Sequence, residues 1–231
     1  MIKAVFFDLY HTLVRFEPPR EELQARTLKD FDIEVRPEVF HRPLIMADEF
    51  IYQEMARCPL SRRSEENKMA LWVQYQEIVL REAGIEADEQ LVLGVLGKMQ
   101  QFKMGMVLFD DVVSSLAYLR GKGLILGMIS NVGHDITSLL EEVGLISLLQ
   151  VVVTSQEAGF SKPQPEIFQA ALRRAGVQAA EAIFVGDQYR IDVVGANQAG
   201  MKGILLDRGG YYKEVTDCPR IQGLSQVADY L

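Results

Sequence analysis

Val5-Phe6-Phe7-Asp8-Leu9-Tyr10-His11-Thr12-Leu13 opens the chain with an apolar, aromatic run that stops at a carboxylate. A short apolar run bounded by polar residues reads as a strand buried on both faces and ending in a loop. Similar runs follow at residues 124–129, 151–153, 182–185 and 203–206. Helix-like stretches separate them at residues 112–120, 136–143, 165–175 and 193–199, and Ser225 is placed to cap a short closing helix. Strands alternating with helices of this length form βαβ units. The expected fold class is α/β, with a doubly wound, Rossmann-like parallel sheet core.

Residues 16–104 break the alternation. Met69, Trp72, Val73, Gln76, Val79 and Leu80 stand at helical spacing, and all but Gln76 can face one core; Leu91, Val95, Met99 and Phe102 repeat the pattern. The stretch reads as an inserted all-helical domain, residues 16–104, between the first strand and the rest of a core made of residues 1–15 and 105–231. Arg15, Arg20 and Arg42 could reach a substrate carboxylate from the side of this insertion, but read rather as surface charge.

The whole chain has 231 residues, with 24 Lys and Arg against 32 Asp and Glu, a net charge of −8. That balance argues against nucleic acid, which wants a basic face, and against an anionic membrane surface. The longest apolar runs are far too short to cross a bilayer, and the N-terminus lacks the pattern of a signal peptide. Cys58 and Cys218 lie far apart and read as reduced thiols in a cytoplasmic protein.

In an open parallel sheet, ligands bind beyond the carboxyl ends of the strands. The residues expected there are Asp8 to Thr12, Ser130 and Asn131, Lys162, and Gly186 with Asp187. Several carboxylates on one crevice suit a hard cation such as Mg²⁺. Lys162, and a helix N-terminus behind Ser130, suit an anion such as phosphate. Taken alone, Lys162 is a solvated charge, Ser130-Asn131 a helix cap and His11 a loop histidine. His134 falls close to the same crevice.

Together these segments resemble the haloacid dehalogenase-like hydrolases, and the resemblance runs the length of the chain. Asp8 to Leu13 looks like the nucleophile motif, Ile129-Ser130-Asn131 the second, and the segment from Ser161-Lys162-Pro163 to Phe168 the lysine motif. Phe184-Val185-Gly186-Asp187, with Asp192 and the glycine-bearing run to Met201, is similar to the fourth. Each motif is weak alone, but their order is specific. The resemblance implies that Asp8 is the nucleophile, forming a covalent aspartyl intermediate. It implies that Ser130, Asn131 and Lys162 hold the transferring group and that Thr12 supports the loop. Asp8, the backbone carbonyl of Tyr10, Asp187 and Asp192 would serve a Mg²⁺ ion. The helical insertion would be a cap that closes over a small-molecule substrate, and it offers a surface for a homodimer.

Tyr10 stands where phosphatases of this family carry a second Asp, the acid–base that protonates the leaving alkoxide. A phenol with a pKa near 10 does that poorly at neutral pH. Tyrosine at this position resembles the metal-independent 2-haloacid dehalogenases, whose halide leaving group needs no proton. Gly186-Asp187 and Asp192 keep the metal-binding form. The leading expectation is Mg²⁺-dependent hydrolysis of a small phosphomonoester, ahead of 2-haloacid dehalogenation through the same nucleophile. A third expectation is a catalytically weak protein that binds a phosphorylated metabolite or a protein partner. His11 is the candidate to replace the missing acid–base.

Overall fold

Every residue of β1 (Ala4–Phe7) is fully buried, as a strand covered on both faces must be. The structure, a computed structural model describing residues 1–231, sets this strand inside a six-stranded sheet. The other strands are β2 (Val14–Glu17), β3 (Gly105–Leu108), β4 (Ile125–Ser130), β5 (Val151–Thr154), β6 (Ala182–Gly186), β7 (Lys202–Leu206) and β8 (Arg220–Ile221). The sheet runs β5-β4-β1-β6-β7-β8 with every neighbouring pair parallel, while β2 and β3 form a separate two-stranded sheet. The chain builds outward from β1 through β4 and β5, then returns to β6 on the other side of β1. That reversal puts the ends of β1, β4 and β6 side by side at a topological switch point.

Helices α1 (Arg20–Lys29), α2 (His41–Arg57), α3 (Glu65–Glu82) and α4 (Glu89–Met99) precede β3. After it come α5 (Val112–Gly121), α6 (Thr137–Glu142), α7 (Ser155–Ala158), α8 (Pro165–Ala175) and α9 (Gly195–Gln198). Side chains along β1 alternate between two cores. Val5 and Phe7 pack with Val112, Leu116 and Leu119 of α5 and with Leu224 and Val227 near the C-terminus. Ala4 and Phe6 pack with Ile167, Phe168, Ala171 and Leu172 of α8. Both faces are therefore covered, which is the doubly wound arrangement. Gly127, in register with Phe6, leaves no room for a side chain: a Cβ there would lie 2.6 Å from the Phe6 ring. Truncating Phe6 to Ala would cost about 3–5 kcal/mol.

The chain divides into two compact units, one of Met1–Arg15 with Met106–Leu231 and one of Phe16–Gly105. The second unit is built from α1 to α4 around Leu28, Phe40, Leu44, Ala47, Val79, Leu80, Val92 and Val95. Ser64 and Asp88 start α3 and α4 by accepting the N–H groups of Asn67 (3.2 Å) and Leu91 (2.8 Å).

Several local expectations are corrected. Gln76 is buried, because its amide exchanges hydrogen bonds with that of Gln24 (3.0 and 3.1 Å), while Met69 is 47% exposed. Arg20 is not surface charge: it pairs both carboxylate oxygens of Asp48 (2.8 and 2.6 Å), and the Tyr75 hydroxyl also donates to Asp48 (2.9 Å). Burial, then the Asp48 carboxylate, push the Tyr75 phenol far above its ordinary value. The closing helix is a 3₁₀ segment, Leu224–Tyr230, entered from Gly223 rather than capped by Ser225. The helix expected at 193–199 begins earlier, as a π-helical turn Tyr189–Val194 that runs into α9. No helix is long and apolar enough to cross a membrane.

Candidate active site

Asp8 follows β1 directly, and its backbone N–H donates to Val185 O of β6 at 2.9 Å. The chain then folds tightly back. Leu13 and Val14 donate to Leu9 O (2.9 and 3.0 Å), and the His11 N–H donates to Val14 O (2.7 Å) with His11 at φ 59°. Thr12 is fully buried beneath this loop, and its carbonyl accepts from Arg208 Nη2 at 3.0 Å. Asp111 grips the same guanidinium through both carboxylate oxygens (3.0 and 2.9 Å), and the guanidinium lies 4.0 Å from the centroid of the Phe109 ring. Thr12 thus holds the loop through its backbone, while its Oγ1 is buried without a hydrogen-bond partner.

Lys162 is only 2% exposed, and its Nζ donates to Asp8 Oδ1 and to Asp192 Oδ1, each at 2.6 Å. Burial alone would lower its pKa, but Asp192 and Asp8 outweigh that and push it up to about 12. The ammonium stays charged. Burial also acts on Asp8 and raises its carboxyl; Lys162 opposes this and Asp192 adds to it, leaving the pKa at about 6. Asp8, Asp187 and Asp192 offer carboxylate oxygens within 4.8 Å of one another. Asp192 reaches this cluster because Gly186 has no side chain: a Cβ there would stand 2.2 Å from Asp192 Oδ2. That oxygen accepts from the backbone N–H of Gln188 at 3.0 Å.

Ser130 is buried at the end of β4, in register with Thr154. No helix starts behind it, since α6 begins only at Thr137, so the expected helix N-terminus for an anion is absent there. Asn131 does not cap a helix either. Its side chain bonds the backbone of Lys162, donating from Nδ2 to Lys162 O (2.9 Å) and accepting from Lys162 N–H at Oδ1 (2.7 Å). His134 is exposed, in the segment before α6. Arg208 and Gln188 were not anticipated. Arg208 carries no local motif, and Gln188 sits inside the fourth motif at a position that spacing does not single out.

The haloacid dehalogenase-like hydrolase family model matches residues 2–200. The chain belongs to that family, and it is a hydrolase. Among curated relatives of this hydrolase, the glyceraldehyde 3-phosphate phosphatase of Methanopyrus kandleri is 30% identical over 213 residues, covering 91% of this chain and 86% of that protein. Among solved structures, a 2-haloacid dehalogenase from Pseudomonas syringae is 29% identical with a TM-score of 0.56, covering 99% of this chain and 97% of the other. A magnesium-bound HAD-hydrolase of Bacillus subtilis aligns over 100% of this chain and 98% of its own, with a TM-score of 0.64 at 19% identity, a likeness of fold alone.

Within this hydrolase, Tyr10 is half-buried and makes an isolated bridge with Val14. Burial, then the Asp8 carboxylate, raise its phenol above the ordinary value of 10.0. The phenol therefore stays protonated at neutral pH, a hydrogen-bond donor and not a base.

Proposed function

We propose that this hydrolase is a Mg²⁺-dependent phosphatase of small phosphomonoesters, working through a covalent intermediate on Asp8. The observation that carries the reading is the cluster of Asp8, Asp187 and Asp192 around one lysine. Its carboxylates outnumber its ammonium, and crowded carboxylates without a further cation raise one another's pKa. The donor set, all hard oxygen, fits Mg²⁺. Asp8, the carbonyl of Tyr10 and Asp187 would hold the ion, with Asp192 beside it; bound there, it would neutralise charge on the transferring phosphoryl group. The Methanopyrus relative is a glyceraldehyde 3-phosphate phosphatase, which points to the same substrate class.

A carboxylate oxygen of Asp8 attacks phosphorus, forming an O–P bond as the ester P–O bond breaks and the alkoxide leaves. Water then attacks the phosphorus of the aspartyl phosphate, which releases phosphate and restores the carboxylate. Lys162 keeps Asp8 ionised and balances charge on the phosphoryl oxygens. Ser130 and Asn131 stand at the strand end that faces that group. The helical unit, residues 16–104 in the sequence reading, would act as the cap that excludes water and selects substrate. Tyr10 gives the alkoxide little help, which leaves His11 as the candidate proton donor.

The second reading is 2-haloacid dehalogenation. Tyr10 favours it, as does the likeness to the Pseudomonas enzyme. One experiment separates the two. Hydrolysis of p-nitrophenyl phosphate is measured with and without Mg²⁺, beside chloride release from 2-chloropropionate, with Asp8→Asn as control. Mg²⁺-dependent phosphate release that is lost in the variant supports the first reading. Metal-independent chloride release without phosphate release replaces it with the second.

A further inference from the structure

Gln188 is a buried polar side chain at this site that no step above uses. It is 3% exposed. Its backbone N–H donates to Asp192 Oδ2 (3.0 Å), and its Nε2 donates to Asp187 Oδ2 (3.4 Å). Its Oε1 is buried and accepts no hydrogen bond. Turning the amide over does not relieve this, because Oε1 would then face the Asp187 carboxylate, and two acceptors repel. Folded proteins leave few such oxygens unpaired, and those few commonly mark the place of a water or an ion.

We propose that Gln188 is a positioning residue for the metal centre, with Nε2 orienting Asp187 and Oε1 accepting a hydrogen bond from a water carried by the cation. The inference rests on the metal-dependent reading above. Mg²⁺ keeps several of its waters, and those waters need acceptors around them. An amide supplies one without adding negative charge to a cluster already rich in carboxylates. Its other end steadies a ligand at the same time. The π-helical turn Tyr189–Val194 brings Asp192 back to the Gln188 N–H, so one residue is keyed to two of the three carboxylates.

The test is calorimetric titration of Mg²⁺ into wild type, Gln188→Leu and Gln188→Met, with the melting temperature of each metal-free protein. Leucine removes both amide ends, so Mg²⁺ affinity should fall by roughly 10–100-fold. The metal-free melting temperature should hold or rise, because an unpaired buried oxygen is gone. Methionine fills nearly the same space with neither amide end, so it should lose Mg²⁺ affinity to the same extent as leucine. Leucine binding within about twofold of wild type would overturn the proposal, since a water-ordering acceptor should matter more than that. Should the leucine variant fail to fold, Mg²⁺ binding by the methionine variant within about twofold of wild type overturns it instead. If wild type itself binds no Mg²⁺, the metal-dependent reading falls and this inference with it. If wild type binds and leucine makes no difference, the inference falls alone.

Discussion

The side-chain amide of Asn131 closes on both backbone groups of Lys162, its Nδ2 on the carbonyl at 2.9 Å and its Oδ1 on the N–H at 2.7 Å. This pair fixes the start of the lysine loop against the end of β4. From there the Lys162 side chain runs inward to Asp8 and Asp192. Asn131→Ala should therefore act on Lys162 rather than on substrate contacts alone. Two part-buried backbone groups lose their partners, so stability should fall by about 1–3 kcal/mol in urea unfolding. Turnover should fall further than KM rises, since a misplaced lysine weakens charge balance in the transition state most. A variant that lost only substrate affinity would return Asn131 to the ligand-binding role read from the sequence.

Arg208 ties the Thr12 carbonyl to Asp111, and that tie is pH-dependent. Burial alone would raise the Asp111 carboxyl, but the Arg208 guanidinium and the Leu224 N–H (2.8 Å) outweigh it and hold the pKa below 3.8. A carboxyl depressed in the folded state stabilises the fold above its unfolded pKa of about 4 and loses that contribution as pH falls through the folded value. Asp111→Asn should thus destabilise by roughly 1–2 kcal/mol at neutral pH, with partial exposure limiting the effect. The difference from wild type should shrink as pH falls below the ordinary carboxyl value and through the depressed folded one. Urea unfolding of both proteins across that range checks it. An undiminished gap in acid would mean the pair acts through packing and not charge.

Gly186 is the point where the missing side chain at the end of β6 makes room for the carboxylate cluster. A methyl group there would meet Asp192 Oδ2 at 2.2 Å and Cγ at 2.4 Å, so Asp192 must move. Moving it breaks the Lys162–Asp192 bond and opens the carboxylate cluster. Gly186→Ala should keep the fold, with a loss of about 1–3 kcal/mol from overpacking. Mg²⁺ binding and turnover should both be lost. Circular dichroism separates this from unfolding, and calorimetry reads the metal.

The parts legible in the sequence were those with short-range causes. β1 and β6 are unbroken apolar runs because both faces are buried, and Asp8 and Asp187 stand at their ends where apolar character stops. β2 and β3 are partly exposed and carry no unbroken apolar run, and β8 has only two residues. Gln76 was read as the polar exception on an apolar helix face, because its partner Gln24 lies 52 positions away. Arg20 reads as surface charge from the sequence for the same reason, since Asp48 lies on another helix. The π-helical turn at Tyr189–Val194 has no periodicity of its own, and Gln188 owes its burial to Asp187 and Asp192 around it. Asn131 was found by motif, yet its role is set by a backbone 31 positions on.

The acid–base gap at Tyr10 gives the sharpest kinetic prediction. Its phenol is raised above 10.0 by burial and by Asp8, so it neither donates a proton readily nor accepts one at neutral pH. An alkyl phosphate releases a strongly basic alkoxide and feels that lack fully; an aryl phosphate releases a weak base and hardly feels it. Tyr10→Asp should raise kcat on alkyl phosphates by roughly 10²–10⁴, the worth of a positioned acid–base, and change aryl turnover far less. The slope of log kcat against leaving-group pKa should flatten accordingly. His11→Ala in the wild-type background gives the complementary measurement. If the imidazole carries the proton in place of the missing Asp, alkyl turnover should lose its pH-dependent limb near neutrality. An unchanged profile from about pH 5 to 9 would remove His11 from the chemistry. A steep leaving-group dependence that survives Tyr10→Asp would mean the proton comes from neither residue, and the phosphatase reading would then need a donor outside this loop.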